Sequence, residues 1–229
     1  IKMIKNNKIW IICIILVISL FIYANNYNIE GFSMEQYKYI HDTLLENLEK
    51  TIKIFEKNNI EYWAIGGTML GSVRESKIID KDDDIDLGVM EENYNKLFNS
   101  INNKDDLYNE FENNGLHLVY GWGIVKILTK RKDNNYKINK IFIDIMGIKE
   151  DNNKYIYSYK SHRDAWKKSW YHINELFPLK KGNLNHLKIN IPNKAENYLK
   201  RVYGDCTKNE CWKIPKGGAY HEVEINLKI

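Results

Sequence analysis

Ile65-Gly-Gly-Thr-Met-Leu-Gly-Ser-Val-Arg74 and the nearby Asp82-Asp-Asp-Ile-Asp-Leu-Gly88 decide how this chain folds. Tyr62 to Ile65 reads as a short buried strand that runs into the paired glycines. Thr68 to Arg74 reads as a short helix, and Ile85 to Met90 as the next strand. Glycines let a backbone come close to a ligand. The helix after them presents free N–H groups and the positive end of its dipole, which suits a phosphate. Gly66, Gly67 and Thr68 are therefore candidate phosphate-binding residues. Arg74, near the end of that helix, is a candidate guanidinium partner for a phosphate oxygen.

Residues two apart in a strand share a face. Asp84, Asp86 and Gly88 fall on one face, joined by Asp82 if the strand extends that far, and Ile85, Leu87 and Val89 on the other. A second strand over Lys140–Ile148 repeats the pattern, with Ile141, Ile143 and Ile145 alternating with Phe142, Asp144 and Met146. Asp144 is then a single carboxylate on an otherwise apolar strand, and a buried charge needs a partner. If it lies beside Asp84 and Asp86, a hard divalent cation such as Mg2+ or Mn2+ would relieve their repulsion. Asp84, Asp86 and Asp144 are the candidate catalytic residues, and with Asp82 they are the candidate metal ligands. An EF-hand does not fit, because Leu87 and Asn93 occupy its glycine and glutamate positions.

Further out, Tyr37, Ile40, Leu44, Leu48, Ile52 and Phe55 recur at helical steps, predicting an amphipathic helix from Ser33 to about Asn58. Ser33 with Gln36 forms a capping-box pattern. Glu91–Ile101 reads as a helix. Leu116–Tyr120 and Ile124–Thr129 read as a hairpin through Gly121-Trp-Gly123. Lys154–Tyr159 is expected to pair beside the Asp144 strand across Asp151-Asn-Asn153, and a last helix follows Pro192-Asn193 and stops at Gly204. His162, Arg163, His172, Lys180 and His221 read as ordinary surface or core residues. The expected fold is α/β (α+β), a mixed sheet flanked by helices.

Residues 9–24 are apolar or aromatic apart from Ser19, a run of about 16 residues, slightly short for a membrane span. Lys2, Lys5 and Lys8 precede it, and no basic residue follows before Lys38, so a signal-anchor with a cytoplasmic N-terminus is expected. The domain reading is a basic tail over 1–8, the anchor over 9–24, a linker over 25–32 and a catalytic domain over 33–229. A cleaved signal is the rival reading for the first segment. Lys and Arg number 34 against 30 Asp and Glu, a balance too mild for a nucleic-acid binder. Cys206 and Cys211 suit either a local disulfide or two free thiols, and a lone C-x4-C pair is weak evidence for zinc.

With these motifs in hand, the chain resembles the LicD / fukutin family of the nucleotidyltransferase-fold superfamily. The resemblance rests on Trp63–Arg74, Asp82–Gly88 and Phe142-Ile-Asp-Ile-Met146, supported by Leu176-Phe-Pro-Leu-Lys180 and Ile191-Pro-Asn…Tyr198–Gly204. It covers about residue 34 to about residue 216. It implies metal-dependent transfer of a phospho-alcohol, of the phosphocholine or ribitol phosphate type, from a CDP-linked donor to a glycan hydroxyl, with release of CMP. By the same resemblance, Asp84 and Asp86 are the metal pair, Asp144 is the third carboxylate and Asp82 an additional one. Gly66, Gly67 and Thr68 are the donor-phosphate turn. Where many members carry Pro-Trp ahead of the acidic run, this chain has Asp80-Lys81. The expected setting is a single-pass membrane protein with a lumenal ER or Golgi domain. A nucleotide-sugar glycosyltransferase using Asp84-x-Asp86, a nucleotidyltransferase releasing pyrophosphate and an inactive glycan-binding relative are the competing classes.

Overall fold

The computed structural model describes residues 33–129 and 141–204. The chain divides into two units, Ile1–Met34 and Glu35–Ile229, and the elements of the fold lie in the second apart from Met34, which starts the first described helix. The expected anchor over 9–24, Cys206, Cys211 and His221 all lie outside the described residues. Among the described residues no helix is long and apolar enough to cross a membrane.

Helix α1, Met34–Lys57, buries Tyr37, Ile40, Leu44, Leu48 and Phe55 as its periodicity requires, but Ile54 is buried where Ile52 was expected. Strand β1 is Tyr62–Ala64, and helix α2 is Gly66–Arg74, so the paired glycines are its first turn and do not precede it. Strand β2 is Ile85–Met90, followed directly by α3, Glu91–Asn103. Helix α4, Asp106–Asn113, was not anticipated. Its cap is Asp105, whose carboxylate accepts the Tyr108 N–H at 3.1 Å and the Ser100 hydroxyl at 2.6 Å. Strands β3, Leu116–Gly121, and β4, Ile124–Thr129, form the expected hairpin, with Trp122 and Gly123 both at positive φ.

Strand β5, Phe142–Asp151, is the spine of the sheet. It turns at Asn152-Asn153 into β6, Lys154–Tyr157, and then come α5, Lys160–Ala165, and β7, Trp170–His172. Helix α6, Ile173–Leu176, the ribbon β8, Lys180–Leu184, with β9, Leu187–Ile191, and helix α7, Ala195–Tyr203, complete the described chain.

The main sheet runs β1-β2-β5-β4-β3, with β6 and β7 continuing from the far end of β5. Only β2 and β5 are parallel; the other described pairs are antiparallel. The expected mixed α/β sheet is therefore observed. Helix α3 packs on β5, α4 on β3, and α2 between β2 and the β8–β9 ribbon. The core is filled by Trp63, Tyr94, Phe55, Phe111, Tyr171 and Tyr198, all essentially without exposed surface. Each such ring contributes of the order of 2–3 kcal/mol through burial, so the platform under the acidic residues is well anchored.

Candidate active site

The register brings the acids together. Asp86 on β2 stands opposite Asp144 on β5, and Asp144 stands opposite Lys126 on β4. A carboxylate oxygen from each of Asp84, Asp86 and Asp144 lies within 4.8 Å of the others, and Asp82, Asp83 and Asp84 form a second, overlapping group. Asp84, Asp86 and Asp144 line one cavity of ≈ 720 Å³ together with Gly66, Gly67 and Lys126. Its remaining wall is apolar and aromatic, including Trp122, Phe142, Tyr157, Trp166 and Tyr203.

Helix α2 holds β2 in place. The Thr68 hydroxyl accepts the Asp86 N–H at 2.8 Å, and the Ile65 N–H donates to the Asp86 carbonyl at 3.1 Å. Thr68 is buried and is not among the residues lining the cavity, and its hydroxyl braces the strand. The glycines also make room for the acids. A Cβ on Gly66 would lie 2.8 Å from Oδ2 of Asp86, and one on Gly67 would lie 2.8 Å from Oδ2 of Asp82. Gly66 is further required by its φ of +52°. On the far side, the His41 ring N–H donates to the Asp82 carbonyl at 2.8 Å, tying the acidic loop to α1.

The electrostatics follow from this crowding. Burial, then the neighbouring Asp83, pushes the Asp82 carboxyl up to about 7. Burial and then Asp82 and Asp144 push Asp84 up to about 8, and the same causes, with Asp84 foremost among the charges, raise Asp86 well above the usual carboxylate range. Desolvation leads in all three. Such a cluster of oxygen donors fits a hard divalent cation, which takes a few carboxylate oxygens and completes its shell with other oxygens.

Arg74 pairs with Glu75 and is not among the residues lining the cavity. Its place at the end of α2 puts it beside its chain neighbour instead of the cradle at the start. Asp144 is not left to a metal alone: Lys126 Nζ binds both its oxygens, at 2.7 and 2.8 Å, and sits 3.7 Å over the Phe142 ring. Lys126 was legible in principle as a single lysine within Ile124-Val-Lys-Ile-Leu128, the positive counterpart of the lone Asp144. Asp80 pairs with Lys77 at 2.6 Å, outside the cavity.

The aromatic rim was also missed. Trp122 is 92% exposed, although the turn that carries it is firmly held. The Tyr94 hydroxyl donates to the Gly123 carbonyl at 2.8 Å, and the His162 ring N–H donates to the Trp122 carbonyl at 3.0 Å. A bulky residue at φ 59° is strained backbone, of the kind that concentrates at working sites. The other polar residues keep structural duties. Arg163 donates to the carbonyls of Tyr157 and Ser158, and His172 with Glu175 caps α6.

The nucleotidyltransferase-domain model of the LicD/FKTN/FKRP family matches residues 59–194, which contain all the acids described above. The chain belongs to this family. Membership in the LicD/FKTN/FKRP family makes it a transferase domain. It is 30% identical over 167 residues to an uncharacterised protein of Rickettsia prowazekii, covering 72% of this chain and 56% of that protein. An uncharacterised protein of Rickettsia typhi is 27% identical over 175 residues, covering 72% and 47%. The chain thus spans about half the length of the curated relatives it matches. A lincomycin-bound lincosamide antibiotic adenylyltransferase, LnuA, aligns with a TM-score of 0.37 at 15% identity, covering 71% of this chain and 89% of that one. So distant a likeness has no bearing on substrate.

Proposed function

We propose that this LicD-family domain moves a phospho-alcohol from a CDP-linked donor to a hydroxyl of a glycan, releasing CMP. The observation that carries the reading is the convergence of Asp84, Asp86 and Asp144 at one cavity, next to the glycine start of α2 and below an aromatic rim. Asp84 and Asp86 would hold Mg2+ or Mn2+, with Asp144 as third ligand and Asp82 behind them. Bound there, the cation would neutralise charge on the donor's phosphates. The free N–H groups at the start of α2 favour an anion in the same place. The aromatic wall suits the flat base of the donor or the face of a sugar. The acceptor oxygen forms its bond to the distal phosphorus as the bond to the CMP oxygen breaks, and CMP leaves with that electron pair. The hydroxyl proton passes to a carboxylate of the cluster, for which Asp144 is the proposed base.

The test is to incubate the full chain with Mg2+ or Mn2+ and a panel of CDP-alcohols, UDP-sugars and nucleoside triphosphates, and to identify the nucleotide released. CMP is the expected product. UDP would indicate a glycosyltransferase and pyrophosphate a nucleotidyl transfer. Asp84→Asn or Asp86→Asn should lower turnover by at least about a hundredfold, the scale on which removing one electrostatic catalytic group acts. Retained turnover in both would overturn the assignment.

The proposed setting is a membrane surface, with residues 9–24 as anchor and the domain on the side opposite Lys2, Lys5 and Lys8. Protease treatment of sealed vesicles should leave the domain intact until detergent is added. Digestion without detergent would refute that orientation.

A further inference from the structure

Lys126, Asp144 and Asp86 form a row across β4, β5 and β2, each directly opposite the next in strand register. Among the described residues lining the cavity, Lys126 is the one basic side chain. Its ammonium engages both oxygens of Asp144 from the β4 side. The lysine is not sealed in. Its side chain keeps 23% of its surface open, against 8% for Asp144. Phe142 supports it, with Nζ 3.7 Å over the ring.

We propose that Lys126 is an exchangeable counter-ion: it satisfies Asp144 in the empty site and turns to the donor's phosphate when a divalent cation takes Asp144. This rests on the reading of the site as one for a nucleotide-linked donor. A divalent cation on Asp144 repels the ammonium and weakens its hold on the shared carboxylate, which frees the lysine to turn away. A diphosphate entering the same cavity supplies the oxygens that the displaced ammonium needs. Lys126 therefore competes with the cation while helping the donor. An ammonium that merely held Asp144 in position would support both.

The two roles predict opposite signs in one variant. In Lys126→Met, which keeps the stem over Phe142, Mn2+ alone should bind at least about threefold more tightly by calorimetry, because a bidentate charge-assisted contact no longer competes. CDP binding at saturating Mn2+ should weaken by about tenfold or more, the scale of one lost charged hydrogen bond. Lys126→Arg should restore most of the CDP affinity, and it also serves if the Met variant fails to fold. Mn2+ affinity that falls or stays level in Lys126→Met, or CDP affinity left unchanged, overturns the exchange. Wild-type protein that binds Mn2+ but no CDP instead overturns the functional reading, and there the sign of the Mn2+ change alone decides for or against displacement.

Discussion

Replacing Thr68 by Val separates two duties that one hydroxyl could serve. The side chain is 4% exposed and accepts the Asp86 N–H at 2.8 Å. Valine has nearly the same shape but no acceptor, so the N–H of a strand residue inside the site is left without its partner. An orphaned buried donor costs about 1–3 kcal/mol. For a domain of this size each kcal/mol lowers Tm by roughly 2–4 °C, so a loss of roughly 2–12 °C is expected.

The cost should not stop at stability. Asp86 is fixed at both backbone ends, by the Thr68 hydroxyl of α2 and by the N–H of Ile65, the residue before that helix. Releasing one end loosens the carboxylate that stands opposite Asp144. Urea unfolding of the cation-free chain and calorimetric titration with Mn2+ should both show the loss, and Thr68→Ser should recover both. Were the hydroxyl instead a contact to donor phosphate, Thr68→Val would unfold like the parent and only the donor KM would rise. That outcome, or a Ser variant as poor as the Val, would refute the bracing role.

Two further outcomes follow from the same geometry. Gly67→Ala should unfold within about 1 kcal/mol of the parent, since alanine is the better helix former, yet it should lose turnover because its Cβ meets Asp82 Oδ2 at 2.8 Å. Gly66→Ala should lose turnover and stability together, since its left-handed φ adds roughly 1–2 kcal/mol of strain, and an unfolding midpoint equal to the parent's in this variant would count against the geometry. The pH response is the second outcome. Asp82 is raised to about 7 and Asp84 to about 8, and burial with the neighbouring carboxylates raises Asp86 well above the usual carboxylate range; unfolded values lie near 4. The folded state therefore binds more protons than the unfolded state across that window, and the contribution of these groups is full below about pH 4 and lost as pH rises towards 8. A divalent cation favours the ionised forms, so the Tm gain from Mn2+ should be larger at about pH 8 than at about pH 5. Equal gains at both would refute the coupling.

The parts of the fold that could be read from the chain are those where burial left a one-residue signature. Strands β2 and β5 alternate single acids with aliphatics, and both appear where the alternation placed them. The β8–β9 ribbon gave no such signal. Lys180-Lys-Gly-Asn-Leu184 and Leu187-Lys-Ile-Asn-Ile191 bury only Leu184 and Ile189 fully, so no alternation of buried and exposed residues marks the ribbon. Helix α4 was missed because its buried face, Leu107, Tyr108 and Phe111, is too short to show a helical period. For Arg74, spacing along a helix gives reach but not direction, and the structure pairs it with Glu75.

What a single chain could not yield is the partner of each lone charge, because partnership here is a property of register. Lys126, Asp144 and Asp86 belong to strands joined by long connections, yet they meet in one row because β4, β5 and β2 pair with the offsets observed. A slip of one residue in β5 would turn Asp144 to the other face and present Ile143 or Ile145 to the cavity. The buried aliphatics of β2 and β5 forbid that slip, since Ile85, Leu87, Ile143 and Ile145 are all fully enclosed. The apolar face of the sheet is thus what assembles the charged one, and the acids, costly to gather, remain adjacent because the hydrophobic register leaves them no alternative.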